Sequence, residues 1–362
     1  MIQSTLLVLV LFALISTGVS LFINALLLKF SRNLGARNVA ELVRWSSQFK
    51  PSVGGISFFI LFLISLVFGL IYTPDLPSNI PLLGFSAAVG LGFLIGLADD
   101  AYNTKPILKF SGQVACGLLL IASGTTIDLF PQKGFDEALT LLWTVGIMNS
   151  VNMLDNMDGV TASTSLSITA SLALMHLVIP DAPMHVFFVL LLGVSAVLVG
   201  FLYYNWNPSR MFMGDTGSQF LGAFLAGMSV IYLWNGQWLP DTPGAFTQEP
   251  LRAFLLVWLF FLVPIADTTT VSVNRLMKGK SPFVGGRDHT THHLVYLGLK
   301  DRHVASLLLL ISLVGAMLAI WFVLPAPQLH LWHLIIGFGL CFLSLIGLYS
   351  TTWLAKAPEP KK

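Results

Sequence analysis

Charge is scarce in this chain. Of its 362 residues only 10% are Asp, Glu, Lys or Arg, 19 basic against 17 acidic, too few to cover the surface of a soluble protein of this length. Cysteine is nearly absent. Cys116 and Cys341 both fall inside apolar runs, which excludes a disulfide framework and a cysteine-based zinc cluster. Period-two alternation is missing from the apolar segments, which excludes a transmembrane barrel. No internal repeat or low-complexity tract is visible. The first apolar segment has no basic residue before it and no small-residue cleavage site at its end, so it reads as a retained anchor.

What abounds is apolar. Hydrophobic residues make up 55% of the chain and the mean hydropathy is +0.81, more apolar surface than one soluble core can hide. The expectation is an all-α, polytopic membrane bundle. A helix needs roughly 20 apolar residues to cross the hydrocarbon layer, and eleven candidates follow, at about 5–28, 54–72, 80–98, 107–122, 138–154, 161–180, 184–204, 217–234, 252–273, 303–324 and 330–355. Lysine and arginine favour the cytoplasmic side. With the amino terminus outside and the carboxyl terminus inside, one set of connections holds 17 of the 19 basic residues and leaves only Lys133 and Arg252 on the other face. That topology puts the acidic motifs on the cytoplasmic side.

Those motifs carry the chemistry. Asp99 and Asp100 follow an apolar run and precede Lys105 and Lys109; neighbouring acids can hold a divalent cation while ammonium groups meet phosphate oxygens. The plain alternative is a solvated helix end. Asn152 to Gly159 packs two amides and the carboxylates Asp155 and Asp158 into one stretch beside an apolar run, where polar groups are costly unless they line a wet cavity or bind something. On a continuing helix Asp155, Asp158 and Asn152 share a face, with interhelical polar glue as the rival reading. In Phe212 to Ser218, Gly214 and Gly217 flank Asp215, a compact turn in which the acid can bind metal and the helix start can face an anion; simple N-capping is the alternative.

Asp267 lies inside the ninth run, three residues after Pro264. An intramembrane acid is a functional candidate, opened to the cytoplasm by a kink at the proline, or else a partner of Arg275 or of a histidine. The loop from Arg275 to His303 carries Arg287, Asp288, His289, His292 and His293, groups suited to a pyrophosphate or to proton transfer near neutral pH. Zinc is the competitor, but adjacent His292 and His293 do not readily ligate one ion on a regular backbone. His176, His185, His303, His330 and His333 read as interfacial structure.

Five motifs in this order, starting with the loop Pro51-Ser52-Val53-Gly54-Gly55 and ending with the histidine loop, resemble the polyprenyl-phosphate N-acetylhexosamine-1-phosphate transferase family over most of the chain. Within it the chain looks more like the bacterial undecaprenyl-phosphate N-acetylglucosamine-1-phosphate transferases than the phospho-N-acetylmuramoyl-pentapeptide translocases, which carry three consecutive histidines. The resemblance implies a magnesium-dependent phosphoglycosyltransferase, with manganese as the alternative ion. Its substrates would be a UDP-N-acetylhexosamine and undecaprenyl phosphate, its products UMP and the lipid-pyrophosphate sugar that starts a cell-envelope polysaccharide. It implies a bacterial plasma-membrane protein of the lipid bilayer, with no nucleic-acid partner and a homodimer left open.

Carried over by motif, Asp215 with Asp99 would hold the metal. Asp99, Asp100, Asp155, Asp158, His289, His292 and His293 would be catalytic, and Lys105, Lys109, Asn152, Arg287 and Gly214 would contact substrate. One catalytic domain over 1–356 is expected, with cytoplasmic loops at about 29–53, 99–110, 152–160, 205–216 and 274–302 and a disordered tail at 357–362. Two departures stand out. His289 lies three positions before His292 where the family commonly has two, and Lys50 stands where many members have threonine. A cation-coupled transporter is the alternative from another class; its acids would lie near the midplane of repeated halves, whereas here they gather toward one face.

Overall fold

The computed structural model describes residues 2–31, 50–73, 79–179, 185–236, 250–281, 286–323 and 331–355. The expected tail at 357–362 lies outside them, as do 32–49 and 282–285 of the expected loops. The described residues form helices α1 (Ile2–Phe30), α2 (Gly54–Tyr72), α3 (Asn79–Tyr102), α4 (Pro106–Ala122), α5 (Lys133–Leu154), α6 (Val160–Val178) and α7 (Val186–Asn205). They continue with α8 (Gly214–Ser229, extended by a π-helical turn Val230–Trp234), α9 (Pro250–Phe260), α10 (Leu262–Met277), α11 (Thr290–Tyr296), α12 (Asp301–Val323) and α13 (Leu331–Leu354). Among the described residues there is no strand, only an isolated parallel bridge between Ser52 and Phe212.

Among the described residues eight helices are long and apolar enough to span a bilayer, or nine if α9 and α10 form one broken span. The chain is therefore an all-α polytopic membrane protein. Of the eleven expected spans, α4 is a shorter apolar helix of 17 residues, α5, which carries the fifth, is not among the helices apolar enough to span, and the ninth is not continuous: α9 and α10 meet at 87°. The expected kink at Pro264 lies elsewhere, because the helix breaks at Phe261 (φ −105°, ψ 27°). Pro264 sits in the first turn of α10, where its missing N–H removes no helical hydrogen bond.

Small residues decide what lies at the centre. The apolar window of α8 is buried throughout, whereas only 22% of that of α1 or α13 is buried, so α8 is the hub and those two present apolar side chains to lipid. On α3, Gly92 and Gly96 are one turn apart. A Cβ at Gly96 would collide with the Asp215 carbonyl, and one at Gly92 would lie 2.9 Å from the Gln219 carbonyl. Their absence lets the two backbones close up, as small-xxx-small faces do in membranes. A Cβ at Gly55 of α2 would strike the Gly217 amide. The start of α2 is tied to the same place by Gly54 N donating to Phe212 O (3.1 Å) and Gly55 N to Met213 O (3.0 Å). These contacts bring the end of α3 and the start of α8 together at one end of the bundle.

Candidate active site

At that end, the carboxylates of α3 divide. Asp100 accepts hydrogen bonds from the Asp215 amide (3.0 Å), the Thr216 amide (2.8 Å) and the Thr216 hydroxyl (2.7 Å). It therefore closes the free N-terminus of α8 from a neighbouring helix. Gly214 makes this possible: its φ is 73°, and a Cβ there would run into the Asp100 carboxylate. The expected substrate-contact residue Gly214 is thus a conformational requirement of the turn.

Asp99 faces another way. Its Oδ1 accepts from the Thr104 amide (2.8 Å) and hydroxyl (2.7 Å), and its Oδ2 from Lys109 Nζ (3.0 Å). Lys109 Nζ also lies 3.1 Å from Asp215 Oδ1, so one ammonium bridges the acids of α3 and α8. Asn152 of α5 donates to the same Asp215 oxygen and to Ser218 Oγ (2.8 Å). Asp215 is the more open carboxylate, its side chain 31% exposed against 11% for Asp99. Lys105 is exposed at the N-cap of α4.

The Asn152–Gly159 block does not continue as a helix. α5 ends at Leu154, Asp155 caps it, and Gly159 with φ 76° precedes α6. The expected shared face of Asn152, Asp155 and Asp158 is therefore absent, because the chain turns between them. Asp158 points instead into the connection after α7. It accepts from the Ser209 hydroxyl (2.7 Å) and amide (2.9 Å), Asn207 Nδ2 (3.2 Å) and Lys50 Nζ (3.3 Å). Lys50 thereby has a built-in counter-ion. Asn156 reaches elsewhere, its Oδ1 accepting from Thr291 Oγ1 (2.6 Å).

That last bond leads to the histidine segment, whose middle is helix α11. Asp267, fully buried, accepts from the Thr290 amide (2.9 Å) and hydroxyl (2.6 Å), and its Oδ2 is 2.9 Å from His289 Nδ1. A carboxylate only accepts, so Nδ1 carries a proton and Nε2 is turned away from Asp267. Of the two structural partners considered for Asp267, the structure selects the histidine. Arg275 pairs with Asp288 through a fork, Nε to Oδ2 at 2.8 Å and Nη2 to Oδ1 at 2.7 Å. Burial raises the Asp288 carboxyl, but this fork outweighs it and holds the group below the usual carboxylate range. His292 is 1% exposed; burial, reinforced by His289, pushes its imidazole down to about 3, so it is neutral at working pH. His293 stacks edge-on to Tyr296, and burial also lowers its pKa. Arg287 is exposed.

The structure thus forms one cluster from Asp99, Asp100, Lys109, Asn152 and Asp215 and a second from Asp267, His289, His292 and their clamps. α5 joins them: Asn152 faces α8, while Ser150 Oγ donates to Pro264 O and accepts from Thr268 Oγ1, both at 2.8 Å. Sequence reasoning passed over Thr104, Thr216, Ser209 and Thr291. Each is a hydroxyl close to a flagged acid or histidine in the chain or in space, and Thr216 and Thr291 had a signal, their places in the Asp215 motif and in the histidine loop.

Fold and site together define a multi-pass helical membrane protein with an acid, lysine and histidine centre at one end of its bundle. Residues 82–233 match the model of Glycosyl transferase family 4. It is 27% identical over 340 residues to the probable undecaprenyl-phosphate N-acetylglucosaminyl 1-phosphate transferase of Bacillus subtilis, covering 90% of this chain and 88% of that one. It is 29% identical to the decaprenyl-phosphate N-acetylglucosaminephosphotransferase of Mycolicibacterium smegmatis, covering 73% and 69%. To the phospho-N-acetylmuramoyl-pentapeptide-transferase of Staphylococcus carnosus it is 26% identical, covering 75% and 84%.

Proposed function

We propose that this protein transfers N-acetylglucosamine 1-phosphate from its UDP-sugar to undecaprenyl phosphate at the cytoplasmic face of a bacterial plasma membrane, starting a cell-envelope polysaccharide. The described helices, with the connections between them, act as one catalytic domain over 1–356. The observation that carries this reading is Lys109 held between Asp99 and Asp215, a cation among acids at a helix end, where two anionic phosphates must be brought together. The names of the relatives support the lipid and the sugar.

The donor set suits a magnesium ion. Among the described residues no three acids, histidines or cysteines converge on one point, and magnesium does not need them, being commonly held by one or two carboxylates with waters and substrate phosphates. Asp215 and Asp99 are the oxygen donors that would hold it. When bound, it would offset phosphate charge as the two substrates approach.

The chain's own groups do the rest. Lys109 neutralises phosphate oxygens, and Asp99, oriented by Thr104, orients the acceptor phosphate or takes a proton from it. An oxygen of the lipid phosphate bonds to the β-phosphorus of the donor as the bond to the UMP oxygen breaks. His289, fixed by Asp267, offers Nε2 to the donor. Asp100 acts through α8 by holding Asp215, and Asp158 by anchoring the turn.

The test is UMP release by purified protein in detergent. Release is expected from UDP-N-acetylglucosamine only with polyprenyl phosphate and a divalent cation, and Asp215→Ala abolishes it. Activity without lipid overturns the reading. Activity with UDP-N-acetylmuramoyl-pentapeptide alone replaces it with the pentapeptide-transferase alternative, which the relative from Staphylococcus carnosus keeps in view.

A further inference from the structure

One turn deeper in the bundle than the carboxylates lies a second polar layer. Gln113 of α4 donates through Nε2 to Gln219 Oε1 of α8 (3.1 Å) and to Asn149 Oδ1 of α5 (3.3 Å), while Asn149 Nδ2 returns a bond to Gln113 Oε1 (2.8 Å). Gln113 is 1% exposed and Gln219 0%. Each amide stands one helical turn from a member of the upper layer: Gln113 from Lys109, Asn149 from Asn152 and Gln219 from Asp215. On a helix those spacings place each pair on one face. α4 and α8 begin at the site end and α5 finishes there, so all three steps run in the same direction, away from the site.

The same three helices therefore meet twice, once through charged and once through neutral side chains. Carboxamides are costly in an apolar interior unless paired, and Gln113, by pairing with Asn149 on one side and with Gln219 Oε1 on the other, ties the axial register of three helices together. Leucines at these positions would pack α4, α5 and α8 without specifying register.

We propose that Gln113, Asn149 and Gln219 are positioning residues for phosphosugar transfer. They set the offset of α4, α5 and α8 that places Lys109 and Asn152 on Asp215. This rests on the reading of the site as a phosphosugar transferase. Displacing reacting groups by about 1 Å can cost on the order of a hundredfold in rate, so a small slip between helices is enough to matter.

The experiment compares Gln219→Leu, Gln113→Leu and Gln219→Glu with the wild type, measuring UMP release at saturating lipid and thermal midpoint in detergent. Both leucine variants are expected to stay folded with a midpoint close to wild type. They should lose about tenfold in kcat with KM for the sugar nucleotide within about twofold, as displacement of catalytic groups predicts. Gln219→Glu keeps an acceptor for Gln113 Nε2 and is expected to recover most of kcat. Wild-type kcat in both leucine variants overturns the proposal, and so does a rate loss that only tracks the loss of folded protein, which would make the layer polar glue. Should the leucine variants fail to fold, Asn149→Ser supplies the same comparison, with normal kcat again the overturning result. A wild type that transfers no phosphosugar overturns the functional reading itself, and this proposal falls with it.

Discussion

Replacing Asp100 with alanine separates two roles a carboxylate in this place can have. Its oxygens accept two amides and one hydroxyl from the first turn of α8 at 2.7–3.0 Å, so alanine strands the donors of a buried helix start. Loss of a side-chain cap costs about 0.5–2 kcal/mol. A further hydrogen bond to a charged acceptor is worth about 1.5 kcal/mol, giving about 3 kcal/mol in total. At about 2 °C per kcal/mol for a long chain, the midpoint falls by about 6 °C. Asparagine keeps one carbonyl acceptor but turns an amide toward a donor, so Asp100→Asn is expected to lie between. Thermal unfolding of the purified protein, followed beside UMP release, reads both effects. The expected result for Asp100→Ala is a lower midpoint together with lost activity, because Asp215 starts the helix that is no longer held. A variant that unfolds at the wild-type temperature and yet is inactive would refute this reasoning and assign the carboxylate to substrate.

Removing the bridging cation in Lys109→Met leaves Asp99 and Asp215 facing each other, and UMP release is expected to fall about a hundredfold; an undiminished rate would show that the bridge is ornamental. Gly92→Ala places a Cβ 2.9 Å from the Gln219 backbone carbonyl, so one of the two helices must shift, and it should lower the rate by less than Gly96→Ala does. Gly96→Ala drives a Cβ into the Asp215–Thr216 backbone and should cost about 1–3 kcal/mol with at least about a tenfold loss of rate; the opposite ranking would contradict the close α3–α8 contact. For pH, burial and the charge of His289 hold His292 down to about 3 from 6.5, against the pull of Asp267 and Asp288 and with Arg287 also opposing its protonation. Between those values the unfolded chain binds the proton and the folded chain does not, so this stability is present above about pH 6.5 and is lost as pH falls toward 3. The midpoint of the wild type should drop more steeply below pH 6.5 than that of His292→Gln, and parallel curves would contradict the burial.

The membrane spans were legible because hydropathy reports the solvent of a helix. It does not report direction. Residues 252–273 are apolar throughout, so they read as one span, but the angle at Phe261 depends on α5, whose Ser150 holds the Pro264 carbonyl. The α3–α8 contact was hidden for a related reason. Gly92 and Gly96 are visible as letters, but their meaning comes from the backbone that packs on them, and nothing within α3 names that partner.

The site was legible as an inventory and not as a wiring diagram. Asp100, Asp158 and Asp215 all stand where an apolar run meets a polar segment, and local sequence gives no ground for separating them. What separates them is what their oxygens accept, and those donors lie far along the chain: Lys50 and Ser209 for Asp158, the α8 amides for Asp100, Lys109 and Asn152 for Asp215. Lys50 shows the point most directly. In the sequence it is only a departure from a threonine, whereas in the fold its charge meets Asp158 at 3.3 Å, so the basic residue at 50 and the acid at 158 are explained as a pair. Asp267 illustrates the converse. Burial of an acid is tolerable when its charge is shared by donors, and the Thr290 amide and hydroxyl with His289 supply three; the acid therefore implies the histidine segment folded over it, and the spacing between them in sequence does not.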